Sequence, residues 1–243
     1  MAPGTGKATG TATGMATGTE TETPPPPMTT PALLRLLAWL SPAFPTGGFA
    51  YSHGVEWAIE SGDITDGASL HLWLADVLAL GTGRTDAILL RHAHRAAGDP
   101  DALAAVAELA AATASGRERQ AEALDQGHAF LAAAAVWSTA GLGPRTPYCV
   151  AVGAMAGQHG IAEDDTAAAY LQTFATALIS AAVRTVPLGQ TAGLRVLAAL
   201  EPVILDTVAA TATATLDDLG GCAFRSDLAA IHHETQYTRL FRS

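Results

Sequence analysis

Lysine is almost missing from this chain. The only one is Lys7, and every later basic residue is Arg or His. A Schiff-base lysine or a phosphate-loop lysine is therefore excluded from the body of the protein. Cysteine is nearly as scarce. Cys149 and Cys222 are too few for a disulfide framework, and with no export signal they are expected as free thiols in a reducing cytoplasm. The first residues lack an apolar segment behind a basic start, so they do not read as a secretory signal. No run of about 20 apolar residues escapes interruption by Gly, Pro or charge, which argues against a membrane span. Strand-like alternation bounded by Asn-Gly or Asp-Gly turns is also missing. Positive charge is the minority: 13 basic residues face 23 acidic ones, a net charge of −10. Neither nucleic acid nor an anionic membrane is an expected partner.

What is present divides the chain in two. Residues 1–30 are almost entirely Thr, Gly, Ala and Pro and close on the polyproline stretch Pro24 to Pro27. Such a segment cannot bury enough apolar surface to offset the entropy of ordering, so a disordered, dispensable tail is expected. Residues 31–243 form the body, long enough for one substantial core.

Helical periodicity runs through that body. In AYLQTFATALISAAVRTV, Leu171, Phe174, Leu178, Ala182 and Val186 recur at spacings of three and four. Leu70, Trp73, Leu74, Val77 and Leu78 do the same in Ser69 to Leu80. The segments Asp101 to Thr113 and Glu118 to Ala140 are Ala-rich, and Ala is the best helix former. Their small faces suit close helix contacts, within one chain or between subunits. Asp99-Pro100 reads as a helix start, and Pro144, Pro147, Pro187 and Pro202 are expected at or near segment starts. The expected fold is all-α, a single-domain bundle of about eight to ten helices.

Catalytic chemistry is hard to find. His92 and His94 are two apart and point to nearly opposite helix faces, so they read as solvated residues rather than ligands of one ion. His232-His233 lies in the polar run IHHETQYTRLFRS and reads as a partner contact. Cys149 has apolar neighbours and is expected in a core, whereas Cys222 is expected to be exposed. The stretches GTGRTD (Gly81 to Asp86) and GLGP (Gly141 to Pro144) lack the spacing of a phosphate loop and read as turns. No nucleophile, acid and base stand out as a set. The expectation is a non-enzymatic protein with no catalytic residues, no metal site and no cofactor, built to bind other proteins.

One stretch is too rich for a plain connector: SPAFPTGGFAYSHGVEWA, Ser41 to Ala58. Pro42 and Pro45 stop the preceding helix, Gly47-Gly48 permits a tight reversal, Phe49 and Tyr51 are set to pack, and Ser52 is a candidate N-cap. The pattern fits a rigid elbow between helices. It fits equally an elbow that also presents Tyr51, His53 and Glu56 to a partner.

That stretch, extended to SPAFPTGGFAYSHGVEWAIE, resembles the opening signature of the urease accessory protein UreF family. ASGRERQAEALDQGHAFL (Ala114 to Leu131) loosely resembles the family's Arg/Glu-rich segment, and AAVRTVPLGQTAGLRVLAAL (Ala181 to Leu200) is similar to its PLGQ motif. HETQYTRLFRS (His233 to Ser243) looks like its closing motif. Thr185, Leu194 and His232 depart from the usual Leu, Gln and Arg. The last departure removes a permanent guanidinium from a partner surface.

The resemblance implies an all-α accessory protein without established catalytic activity. It implies partners: UreD (also called UreH), the GTPase UreG and apo-urease, into which nickel is loaded. UreF proteins bridge UreD and UreG, commonly as a dimer of the UreF–UreD pair. Two other roles stay open: a GTPase-activating regulator of UreG, and a nickel-binding carrier. The partner-binding residues expected are Tyr51, His53 and Glu56 of the elbow and His233, Glu234, Tyr237, Arg239, Phe241 and Arg242 of the closing run. The mixture of aromatic residues and Arg is typical of interface hot spots. A terminal polar run of this kind is expected to fray when free and to order on a partner, and its removal to leave the body folded.

Overall fold

The computed structural model describes residues 28–138 and 142–243, together with Met1, Ala2 and Gly4. The tail expected over residues 1–30 therefore lies almost wholly outside the described residues. At its inner edge, ordered structure begins earlier than composition suggests. The Thr29 hydroxyl accepts from the Ala32 amide, and with Pro31 in the first turn it opens a helix at Thr30.

The described residues are helical and contain no strand, as the periodicity predicts. The elements are α1 (Thr30–Trp39), α2 (Val55–Glu60), α3 (Gly67–Leu80), α4 (Thr82–Arg95) and α5 (Pro100–Ala112). They continue with α6 (Arg117–Ala134), α7 (Tyr148–Gln158), α8 (Glu163–Thr185), α9 (Gln190–Thr211) and α10 (Phe224–His233). Short 3₁₀ turns occupy Gly48–Ala50, Ala135–Trp137 and Leu216–Asp218.

The centre of the bundle is α7. Its residues Cys149 to Ala156 are buried without exception, the mark of a helix surrounded on all sides. It packs on α4, α6 and α8, while α9 closes the far side against α3 and α8. Cys149 thus sits in the core and Cys222 at the surface, as expected. At 23 residues α8 is long and apolar enough to cross a membrane by length and composition. Half of its apolar window is buried against its neighbours, the pattern of a core helix.

Local rules account for most boundaries. The Asp99 carboxylate caps α5, accepting from the Asp101 and Ala102 amides. Asp66 and Ser69 cap α3 reciprocally. Three expectations need correction. Pro202 does not start a segment but lies inside α9. Its ring and Ala198, whose carbonyl loses a donor, both lie on the exposed side. GTGRTD is a turn only at Gly81, because α4 already begins at Thr82. Gly83 lets the α3–α4 corner close: a Cβ there would sit 2.7 Å from the Leu78 Cα. His92 and His94 are not solvated. Each is half-buried with its Nε2 against a carbonyl oxygen, of Ala214 at 3.2 Å and of Ile161 at 2.7 Å.

A charge network that sequence alone does not mark joins α4 to α8 and α9. Arg91 is 2% exposed and donates to Glu163 at 2.6 Å, to the Val208 carbonyl at 2.8 Å and to the Thr211 hydroxyl at 3.2 Å. Burial opposes the charge on Glu163, but hydrogen bonds from Arg95 and Arg91 prevail and hold it below the usual carboxylate range.

Candidate partner-binding site

The four motif segments, far apart in sequence, meet in one place. The elbow leads from the end of α1 to α2, and Phe44 within it packs on Phe130 of α6, ring centroids 5.6 Å apart. Residues 234–243, which follow α10, lie across the elbow as a strap. Two backbone bonds dock them: the Arg242 amide donates to the Ala50 carbonyl, and the Ser52 amide to the Ser243 carbonyl, both at 2.7 Å. The PLGQ segment contributes Arg184. Its guanidinium lies 4.3 Å from the Phe241 ring centroid and 5.4 Å from that of Phe49, and it donates to the Phe49 carbonyl at 3.0 Å.

Carboxylates on α2 and α6 clamp the strap. Glu56 accepts from the Leu240 amide at 2.7 Å, the Phe241 amide at 3.0 Å and His233 Nε2 at 3.1 Å. The other ring nitrogen, His233 Nδ1, lies 2.7 Å from Glu118. Glu118 also takes a bond from Arg239. Glu122, paired with Arg119, accepts from the Ser243 hydroxyl at 2.7 Å. Glu234 reaches the opening of α6, where Gly116 has no side chain to cap it, and accepts from the Glu118 amide at 3.2 Å. A carboxylate there meets a free N–H and the positive end of the helix dipole. Arg242 lies over the Tyr51 ring and donates to its hydroxyl at 3.4 Å. That hydroxyl donates in turn to Asp125 at 3.0 Å, and burial together with this bond pushes the Tyr51 pKa up to about 12.

Much of the expected display surface is therefore interior. Tyr51, His53, Glu56, His233 and Phe241 are buried within the chain, and Glu234 is half-buried. Tyr237, Arg239 and Arg242 remain exposed. The expectation of a frayed polar run that contributes little to folding is corrected. Its polarity is spent on internal partners: Glu56 and Glu118 take bonds from His233 and the strap, and Glu122 takes the Ser243 hydroxyl. Ser52 also differs from expectation. Gly54 holds the cap position of α2, although the Ser52 hydroxyl still accepts from the Glu56 amide at 3.3 Å.

His53 shows how tightly the elbow is built. Its φ is +58°, unusual for a residue with a side chain. Its ring meets Phe174 edge-on at 5.0 Å, and Nε2 lies 3.1 Å from the Thr82 hydroxyl. Burial, with Arg119 nearby, pushes its pKa well below the ordinary value, so the ring is neutral. The neighbouring Gly54 has φ +76°, and a Cβ there would lie 2.7 Å from the Ala230 amide nitrogen of α10. Gly54→Ala is expected to cost about 2 kcal/mol, combining left-handed strain with a backbone clash. Urea unfolding checks this: an Ala variant as stable as the parent would show that α10 does not approach the elbow so closely.

Around the clamp, apolar groups face outward. Phe224, Leu228 and Ile231 form an i, i+4, i+7 stripe on α10, all exposed. Beside them in sequence, Leu240 is 73% exposed and Tyr237 fully so. The His232 ring stacks on Trp57, centroids 5.1 Å apart. Among the described residues, no group of three or more His, Cys, Asp or Glu is placed to hold a metal ion.

The UreF family model matches residues 64–201. The chain belongs to the UreF family. A Bradyrhizobium sp. (strain BTAi1) protein named urease accessory protein UreF is 53% identical over 222 residues, covering 88% of this chain and 92% of its own. The namesake from Cereibacter sphaeroides is 53% identical over 212 residues, 87% and 99% of the two chains. That from Rhodopseudomonas palustris (strain BisB18) is 50% identical over 225 residues, 87% and 92%. The matched UreF segment spans α3 to the middle of α9. The elbow and strap lie outside it, although both carry motifs of the resemblance.

Signals for the clamp were present in the sequence. Acids at 118, 122 and 125 recur along one side of α6, and the closing run supplies bases at 233, 239 and 242. The unread step was that the two sets belong together.

Proposed function

We propose that this UreF-family chain is a non-enzymatic urease accessory protein. In this reading it acts in the cytoplasm, binds UreD (UreH) and the GTPase UreG, works as a homodimer within their complex, and supports nickel insertion into apo-urease. The names of its relatives support the accessory role. The observation that carries the adapter role is Tyr237: a fully exposed tyrosine on a strap pinned from beneath by buried carboxylates. A rigid, exposed aromatic loses little entropy on binding and suits a hot spot. The α10 stripe and Leu240 are further exposed apolar groups of the same C-terminal segment.

Tyr237→Ala is expected to weaken capture of UreD or UreG by about 2 kcal/mol, roughly thirtyfold. Its melting temperature should stay unchanged, because the side chain buries nothing within this chain. Co-purification and calorimetric titration with each partner provide the test. Unchanged affinity for both partners in a Tyr237→Ala/Leu240→Ala variant would remove this surface from the interface.

A further inference from the structure

Behind the elbow the bundle leaves a cavity of about 620 Å³. Its walls come from the elbow, the start of α4, the end of α5, the helices α6 to α9, and Gly220, Gly221 and Asp227. That volume is within the range of small-molecule sites. Phe44, Tyr148 and Phe174 give it apolar and aromatic sides, and Asp86 of α4 provides a carboxyl group in the wall. Asp86 lies among packed helices yet keeps accessible surface, because the cavity reaches it. The Tyr170 hydroxyl donates to its Oδ2 at 2.6 Å, and the Cys149 thiol is its other hydrogen-bonding neighbour. Among the described residues no Arg, Lys or His lies within ion-pair distance of it. Arg119, the base facing it from α6, is already paired with Glu122.

A carboxylate has about four acceptor sites, and two neutral donors leave Asp86 with acceptor capacity and no countercharge. We propose that the cavity is a binding site for a small primary amine, its ammonium seated on Asp86 and its apolar body against Phe174 and Tyr148. Aromatic faces beside a carboxylate favour an organic cation. The two bases of the wall are already engaged, Arg119 with Glu122 and Arg184 over Phe49 and Phe241, so Asp86 is the acid left for a cation. The proposal is independent of the adapter role, which resides on the outer face of α10 and the strap.

Protonation of Asp86 gives the site a pH signature. The groups facing it are Tyr170 on α8, Cys149 on α7, and Arg119 and Glu122 on α6. Burial raises its pKa to about 6, against the opposing bond from Tyr170. The seat is therefore neutral below that value and anionic above it.

The probe is phenethylammonium chloride, protonated throughout the pH range used, with phenethyl alcohol as its neutral counterpart. Binding to the full chain is followed by saturation-transfer NMR and calorimetry at about pH 5 and about pH 8. The amine should bind about tenfold or more tightly at the higher pH, and the alcohol equally at both. In Asp86→Asn the amine should lose this advantage and bind no better than the alcohol. The pH comparison on the unmodified chain stands even if that variant does not fold. Equal affinity for the amine at the two pH values, equal affinity for amine and alcohol at the higher one, or no amine binding at about 10 mM would each overturn the proposal.

Discussion

Replacing His233 with Ala should cost this protein about 3–5 kcal/mol of stability, the usual penalty for removing one partner of a buried charged network. The ring is 0% exposed and stands between two acids, Glu118 on one nitrogen and Glu56 on the other. The ring bridges the two, one nitrogen to each. Without it, two carboxylates are left in low-dielectric surroundings and the ring's volume becomes a void. A loss of that size is a large part of the 5–15 kcal/mol that holds a typical domain. It should be visible in urea unfolding followed by circular dichroism. Amide exchange adds a local readout: the Leu240 and Phe241 N–H groups, which both donate to Glu56, should lose protection before the helical core does. His233→Gln keeps one polar arm and should fall between Ala and the parent. Parent-like stability of the Ala variant, with both amides still protected, would show that the strap does not depend on this ring.

That expectation reverses what the sequence suggests about the same residues, and the reversal is physical. HETQYTRLFRS is polar and rich in Arg, and polarity at the end of a chain ordinarily means solvent. The decisive fact is pairing across more than a hundred residues, His233 to Glu118 and Leu240 to Glu56, and periodicity carries no information about such pairs. Local features were legible because their causes are local. Asp99-Pro100 announces α5 by its own cap, and the apolar stripe of α8 follows from residues three and four apart. Pro202 was misread for the same reason: a local rule forbids it inside a helix, but packing of α9 on α3 and α8 outweighs the lost bond. The elbow was legible as an elbow. That its glycine at 54 makes room for α10, and that His53 points inward, required the position of a helix about 180 residues away. Asp86 gave no signal at all. An acid near the start of a helix is commonplace, and only the packing of α7 and α8 turns it into a cavity wall.

Asp86→Asn should make the folded protein more stable at neutral pH, the opposite of the usual outcome for an interior substitution. The sign follows from proton linkage. Burial raises the Asp86 pKa from 3.8 to about 6 in the folded chain. Between those values the folded state holds more of the proton than the unfolded state, so stability falls as pH rises through this window. Above about pH 6 the loss is complete, on the order of 3 kcal/mol; below about pH 4 it is absent. Asparagine has no proton to lose. It can still accept from the Tyr170 hydroxyl in nearly the same volume, although its amide hydrogens need partners of their own. Chemical denaturation at about pH 4 and about pH 7 separates the effects. The Asn variant should gain on the parent as pH rises, whatever constant offset its amide introduces. An ionised group that weakens the resting fold while facing an open cavity is the signature expected where a cationic guest offsets the cost. If parent and variant show the same change in stability between the two pH values, Asp86 is not the desolvated acid described, and the cavity has no anionic seat to offer.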